Sequence, residues 1–256
     1  MTAASAGSLA GRRAIVTGAA TGVGAAAVTA LAAAGAEVIG VFHQSEPSAE
    51  VKATARWLNC DVRDQAAVQA TFAEAARLLG GLDVLVHAAG LWRPSTPEGA
   101  TEEEMDFLLA TNVKATLFAN QAAFDLMKDH GGRIMNLGSS EGRNGNPHAP
   151  LYALTKAAVH GWTRSAAGAW AGYGITVNAL APAVETPGAQ RLRDHLGPAG
   201  TEMLNERLKA IIPIGGALGD AVNDLGPVVV FLASEGSRFM TGQLIAVDGG
   251  LMMLGA

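Results

Sequence analysis

Short apolar runs, rich in β-branched residues, alternate with longer alanine-rich stretches along most of the chain. The runs are AIVTG around Ile15, EVIGVF at Glu37–Phe42, LDVLVHAAG at Leu82–Gly90, RIMNLGSS at Arg133–Ser140, ITVNALAP at Ile175–Pro182 and QLIAVDGG at Gln243–Gly250. They are apolar at consecutive positions instead of every second one, the pattern of strands buried on both faces. With helical stretches between them they predict βαβ units. The expected architecture is therefore α/β: one doubly wound domain over 1–256, a parallel sheet flanked by helices. Ligands of such sheets bind outside the carboxyl ends of the strands, where Gly18, Gly90, Ser139 and Pro182 would meet. The rhythm breaks at Pro182–Pro213, which is more polar and holds helical pieces. Residues 183–212 are expected to form a small helical substrate lid, a reading preferred to a plain surface helix pair.

Composition narrows the function classes. A chain of 256 residues, 49% hydrophobic, suits one sizeable core. A net charge of −5 with its signs scattered leaves no basic footprint for nucleic acid, so no nucleic-acid partner is expected. Cys60 is the only cysteine, which rules out an internal disulfide and favours a reducing, cytoplasmic setting. Residues 1–10 read as a loose lead-in and not as a signal peptide. The longest apolar stretch, Ala25–Phe42, is interrupted by Thr29, Gly35 and Glu37, so no membrane span is expected. No metal site is expected either.

Two constellations carry chemistry. Thr17–Gly24 reads TGAATGVG between the first strand and an alanine-rich helix. Backbone N–H groups at such a turn, with the helix dipole behind them, can receive a pyrophosphate, and Gly18, Gly22 and Gly24 permit its approach around Thr21 and Val23. The spacing is not G-x-G-x-x-G, and a ligand-free glycine turn is the competing reading. Tyr152 and Lys156, in YALTK, stand four apart on one helical face. A phenol with a pKa of about 10 transfers protons poorly near neutrality, and a neighbouring ammonium would lower that value. Ser139, leaving a strand, can donate to the same substrate oxygen. Alone, Tyr-x-x-x-Lys describes an amphipathic tyrosine and a solvated lysine. Downstream of a phosphate turn and a strand ending in serine, it describes an acid/base pair. Tyr173, the other tyrosine, reads as structural.

These motifs, in this order, resemble the short-chain dehydrogenase/reductase family over almost the whole length, particularly its 3-oxoacyl-carrier-protein reductase-like and alcohol dehydrogenase-like members. TGAATGVG matches the family's T-G-x-x-x-G-x-G, and HAAG at His87–Gly90 stands where N-N-A-G is usual. The resemblance implies a Rossmann-type domain with a seven-stranded sheet. It also implies hydride transfer between NAD(P)(H) and a ketone or secondary alcohol, with Asn112, Ser139, Tyr152 and Lys156 as the catalytic tetrad. Asn112 would kink a helix and hold a water, and Lys156 would also bind the nicotinamide ribose. Further cofactor contacts are implied for Phe42, His43, Gln44, Ser45, Asp61 (at the adenine), Val62, Ala88, Ala89, Gly90, Pro182, Val184 and Thr186. Leu91, Trp92, Arg93 and Leu151, with Ser139, would line the substrate pocket. A homotetramer would form on the helices around Phe107–Lys128 and Leu151–Trp170 and on the last strand with its apolar LMMLGA end.

The chain departs from the family pattern in three places. His87 replaces an asparagine and reads as a packing residue. Pro182-Ala183 replaces the usual P-G, and the segment to Thr186 is one residue short, which weakens the contacts assigned to Val184 and Thr186. Phe42 replaces the aspartate of NAD-preferring members, removing the carboxylate that repels a 2′-phosphate. His43, Gln44 and Ser45 could bind that phosphate, so NADP(H) is favoured over NAD(H). The competing functions are a non-redox dehalogenase or epimerase on the same scaffold and a catalytically silent dinucleotide-binding protein. Retention of the glycine turn and of Ser139, Tyr152 and Lys156 weighs against both.

Overall fold

The computed structural model describes residues 8–253. Seven parallel strands form one sheet: β1 (Arg13–Thr17), β2 (Glu37–Phe42), β3 (Arg56–Asn59), β4 (Val84–His87), β5 (Gly132–Leu137), β6 (Ile175–Pro182) and β7 (Leu244–Val247). Their order is β3-β2-β1-β4-β5-β6-β7. The order reverses between β1 and β4, and the crevice beyond their carboxyl ends is the topological switch point. Thr17 pairs with His87 and His87 with Asn136, so three strands end nearly level there.

Both faces of the sheet are apolar because alternate residues of each strand enter separate cores. Ile15, Ile39, Val41, Leu85, Ile134 and Val177 pack with Phe72, Ala119, Met127 and Ala166 on one side. Ala14, Val16, Val38, Val84, Val86 and Met135 pack with Val28, Leu31, Val229 and Leu232 on the other. Hence the consecutive apolar runs. The first side is covered by α3 (Gln65–Leu79), α5 (Ala115–Met127) and α7 (Pro150–Trp170), the second by α1 (Gly22–Ala33) and α9 (Gly226–Ala233); α2 (Ala49–Lys52) is a single turn before β3. The preceding helix α4 (Glu102–Leu108) runs into α5 through a π-helical segment, Leu109–Lys114, which contains Asn112. The π-helical segment widens the helix by about one residue per turn at Asn112.

Three expectations change in detail. The search for apolar runs passes over β3, RWLN, because an edge strand has two half-buried residues between exposed ends. In the N-terminal lead-in, residues 1–7 lie outside the described residues, whereas Leu9 is only 1% exposed and its N–H donates to Ala34 O at 2.8 Å. Of the LMMLGA end, residues 254–256 lie outside the described residues, Met252 is buried and Met253 is 69% exposed. The segment expected as a lid holds α8 (Pro187–Ile211), after the short α6 (Glu141–Asn144) and α7 in chain order. Gly197, at φ 68° and ψ −176°, breaks α8 in two ahead of Pro198. Among the described residues no helix is long and apolar enough to cross a membrane.

Candidate active site

On one side of the switch point the glycine turn meets the exit of β4. Gly18 has φ +62°, and a Cβ there would lie 2.6 Å from Ala89 N. A Cβ on Gly24 would lie 2.1 Å from Gly18 O. Only glycine lets these backbones approach so closely. Helix α1 starts here with Thr21 at its N-cap, and no side chain caps it. The N–H groups of Gly22, Val23 and Gly24 therefore lack the partners a capped helix has and can meet an anion. Thr186 and Pro187 come to this turn from the start of α8, with Thr186 Cβ 3.5 Å from where a Gly22 Cβ would sit. The Thr186 hydroxyl also caps α8, accepting from Ala189 N at 3.2 Å. Pro182 ends β6 half-buried, and Val184 is buried, bridging to Gly219.

The rim continues past β2 and β3. Phe42 is half-buried edge-on to Trp57, with ring centroids 6.3 Å apart. His43, Gln44 and Ser45 are exposed, and the His43 carbonyl accepts from Asn59 Nδ2 at 2.7 Å. Asp61 is held by Arg63 through Nε at 2.9 Å and Nη2 at 2.6 Å. That hydrogen bond is the main reason its pKa falls to about 2. Val62 is half-buried beside it. Ala88, Ala89 and Gly90 follow β4, and a Cβ on Gly90 would come within 3.3 Å of Asn112 Oδ1 and 3.4 Å of Lys156 Nζ. An uncapped helix start and a run of small residues, Ala88, Ala89 and Gly90, leading toward the lysine fit an elongated dinucleotide.

Ser139 leaves β5, and α7 presents Tyr152 and Lys156 one turn apart. Lys156 is buried, its Nζ donating to Leu137 O at 2.7 Å and standing 5.5 Å from the centre of the Tyr152 ring. Burial brings its pKa down to about 8, against an upward pull from Glu141. The Tyr152 pKa does not fall as expected from the neighbouring ammonium. Burial raises it above the ordinary phenol range, Glu141 adds to the rise, and only a hydrogen bond with the Ser139 side chain opposes it. Desolvation of the phenolate outweighs any attraction of Lys156. Asn112 is fully engaged. Its Oδ1 accepts from Leu91 N at 2.8 Å, while Nδ2 donates to Leu91 O at 2.9 Å and to Thr155 Oγ1 at 3.0 Å. It ties the strand-end loop to α7.

On the substrate side Leu91 and Trp92 are half-buried and Leu151 is buried, forming an apolar wall. Arg93 is exposed, with its guanidinium 4.1 Å from the centre of the Phe107 ring. His87 is buried with Nδ1 2.8 Å from Thr17 Oγ1 and Nε2 unpartnered. Burial, helped by Lys156, holds its pKa near 3, so the ring is neutral, as suits a packing residue. Trp162 and Trp170 pack within the chain, 5.9 Å apart and edge to face, and Phe124 stacks on Trp170. Tyr173 lies edge-on to the same Phe124.

Sequence reasoning passed over two residues. His160 lies four residues after Lys156, and applying the spacing rule once more would have found it. Its Nε2 faces Ser139 N at 3.4 Å, in space left by Gly138 and Gly142, where a Cβ would come within 2.8 Å of the ring. Burial lowers its pKa to about 4. The other is Glu141, two residues beyond Ser139, whose only signal in the sequence is a charge at the end of a buried strand.

Known proteins resemble the chain throughout. The family model described as enoyl-(acyl carrier protein) reductase matches residues 18–252. A 2-dehydro-3-deoxy-D-gluconate 5-dehydrogenase from Bacillus subtilis (strain 168) is 36% identical, with 95% of each chain covered. The 3-oxoacyl-[acyl-carrier-protein] reductase FabG from Staphylococcus aureus (strain Mu50 / ATCC 700699) is 34% identical, covering 94% of this chain and 98% of its own. A solved structure of a short-chain dehydrogenase/reductase from Serratia marcescens BCRC 10948 has a TM-score of 0.83 at 31% identity, covering 95% of this chain and 98% of its own.

Proposed function

The chain belongs to the short-chain dehydrogenase/reductase family and is an NAD(P)-dependent oxidoreductase of alcohols and ketones, and from that premise we propose that Tyr152, Ser139 and Lys156 perform its chemistry. The observation that carries this reading is the convergence at the switch point of the uncapped start of α1, of Gly90 packed against Asn112 and Lys156, and of the hydrogen-bonded side chains of Ser139 and Tyr152. Gly18, Thr21, Gly22, Val23 and Gly24 would hold the pyrophosphate, Asp61 and Val62 the adenine, and Ala88, Ala89, Gly90 and Lys156 the nicotinamide half. Pro182, Val184 and Thr186 would close over it.

When bound, the nicotinamide supplies or accepts the hydride at the substrate carbon. In reduction Tyr152 gives its phenolic proton to the carbonyl oxygen, yielding the alcohol; in oxidation it takes that proton back. Burial favours the protonated phenol, which is the form reduction needs at neutral pH. Ser139 donates to the same oxygen and stabilises the charge developing there. Lys156 keeps an ammonium beside the phenol, anchored on Leu137 O. Asn112 is a positioning residue that holds Leu91 and Thr155. Leu91, Trp92 and Leu151 would shape an apolar pocket and 183–212 its lid, with the break at Gly197 separating the lid's two helical pieces.

NADP(H) is the cofactor favoured, because no carboxylate occupies Phe42 and three exposed hydrogen-bonding side chains, His43, Gln44 and Ser45, follow it. A cytoplasmic homotetramer completes the proposal: Cys60, the only cysteine, is free and buried, and β7 is half-exposed on the sheet edge. Fluorescence titration with NADPH and NADH, then turnover of a ketone panel by wild type and Tyr152→Phe, tests this reading. Tighter NADPH binding is expected, and the variant should keep its cofactor affinity while losing at least about a hundredfold in kcat. Near wild-type turnover by Tyr152→Phe would remove the acid/base role, and tighter NADH binding the role of His43–Ser45.

A further inference from the structure

Glu141 takes no part in the reaction just described, and its charge works against it. It starts α6 directly after Ser139 and Ser140, its N–H donating to Ser139 Oγ at 3.2 Å. Its Oε2 is buried with no hydrogen-bond partner, and among the described residues no cation forms an ion pair with it. Burial raises its pKa, while hydrogen bonds from the Asn146 and Trp92 side chains to the carboxylate and the charge of Lys156 favour the anion. The Glu141 charge in turn holds the proton on Tyr152. A buried acceptor left without a donor is costly, more so when charged, and is satisfied by a water or by a ligand that supplies the donor.

The loop that holds Trp92 carries a second unpartnered group. Ser95 Oγ is also buried and unsatisfied. Ser95 N donates to His148 O at 3.0 Å, binding the loop that holds Trp92 to the turn that holds Asn146. Of the arginines near the pocket, Arg93 lies over Phe107 and Arg193 pairs with Glu185 at 2.7 Å, while Arg191 is exposed on α8.

We infer that Glu141 forms a hydroxyl-binding subsite beside the reacting carbon, so that the substrate is a hydroxy ketone, or in the reverse direction a vicinal diol, whose neighbouring O–H donates to the Glu141 carboxylate. The inference rests on the reaction proposed above and narrows its substrate class. An ionised carboxylate only accepts hydrogen bonds. It therefore selects an O–H against an ether, a second carbonyl or a carboxylate in the same place, the last also being repelled by like charge. The bound hydroxyl satisfies Oε2 and damps the charge that holds the proton on Tyr152, so occupancy of the subsite also eases proton transfer.

The test compares kcat/KM for acetoin with 2-butanone and for 2-hydroxycyclohexanone with cyclohexanone, in wild type, Glu141→Leu and Glu141→Gln, with whichever nicotinamide cofactor binds tighter. Wild type should favour the hydroxylated member about tenfold or more, the worth of one hydrogen bond to a charged group. Glu141→Leu should lose that ratio and turn over plain ketones faster, since the charge opposing the phenolate is gone. Glu141→Gln, of the same shape and still an acceptor, should keep part of the ratio. Equal treatment of both members by wild type, or an unchanged ratio in Glu141→Leu, overturns the subsite and leaves the ketone chemistry standing. Turnover of no ketone at all overturns the oxidoreductase roles proposed above, and this inference with them.

Discussion

A buried lysine is a stability cost, and Lys156 makes that cost measurable. Burial lowers its pKa from 10.5 to about 8, so the unfolded chain binds this proton more tightly than the folded one. The destabilisation is complete below about pH 8 and fades as pH rises toward the unfolded value. Lys156→Met should therefore abolish turnover yet stabilise the fold near neutrality by about 1–3 kcal/mol. Urea denaturation would show it, with the advantage shrinking between about pH 8 and pH 10; a variant less stable than wild type at pH 7 would mean that the bond to Leu137 O outweighs burial. The pairing of Tyr152 with Lys156 was legible because i,i+4 spacing fixes a shared face whatever the helix packs against. The direction of the Tyr152 shift was not. It depends on how much water the folded site excludes and on Glu141, a residue that in the sequence looks like any solvated glutamate.

At the scale of elements, the turn from β1 into α1 is the most constrained junction in the site. A methyl on Gly18 would meet Ala89 N at 2.6 Å and would have to hold φ +62°. Gly18→Ala should thus cost about 2 kcal/mol or more and weaken dinucleotide binding at least tenfold, because the clash displaces the exit of β4 as well as the turn. Thermal melting with and without NADPH measures both effects, and an unchanged NADPH-dependent rise in Tm would show that the turn does not hold the cofactor. Six strands were readable as apolar runs because each is buried on two faces. Strand β3 was not, since an edge strand needs few apolar residues. The polar segment after β6 was recognisable by its break in rhythm, whereas its division at Gly197 follows from a backbone conformation that no hydrophobic pattern encodes.

Over the whole molecule, apolar surface remains exposed in several places. Phe239 is 99% exposed, Leu154 on α7 and Phe231 on α9 are partly exposed, and β7 presents an open, half-buried edge. The proposed homotetramer predicts a light-scattering mass about four times that of the chain, and Phe239→Asp should shift it toward smaller species. A monomeric wild type would remove the assembly and leave the site's chemistry untouched. The sequence by itself determined the layered α/β architecture, the glycine turn between β1 and α1 and the shared helical face of Tyr152 and Lys156, because periodicity, glycine placement and helical spacing are local properties that tertiary contacts preserve. Only the tertiary structure decided which way the acidities of Tyr152 and Lys156 move, that Asn112 is spent on tying Leu91 to α7, that Arg93 lies over Phe107 and Arg193 pairs with Glu185, and that one carboxylate oxygen of Glu141 is buried without a partner. Those outcomes depend on desolvation and on neighbours far apart along the chain, which exist only once the strands have brought their ends together.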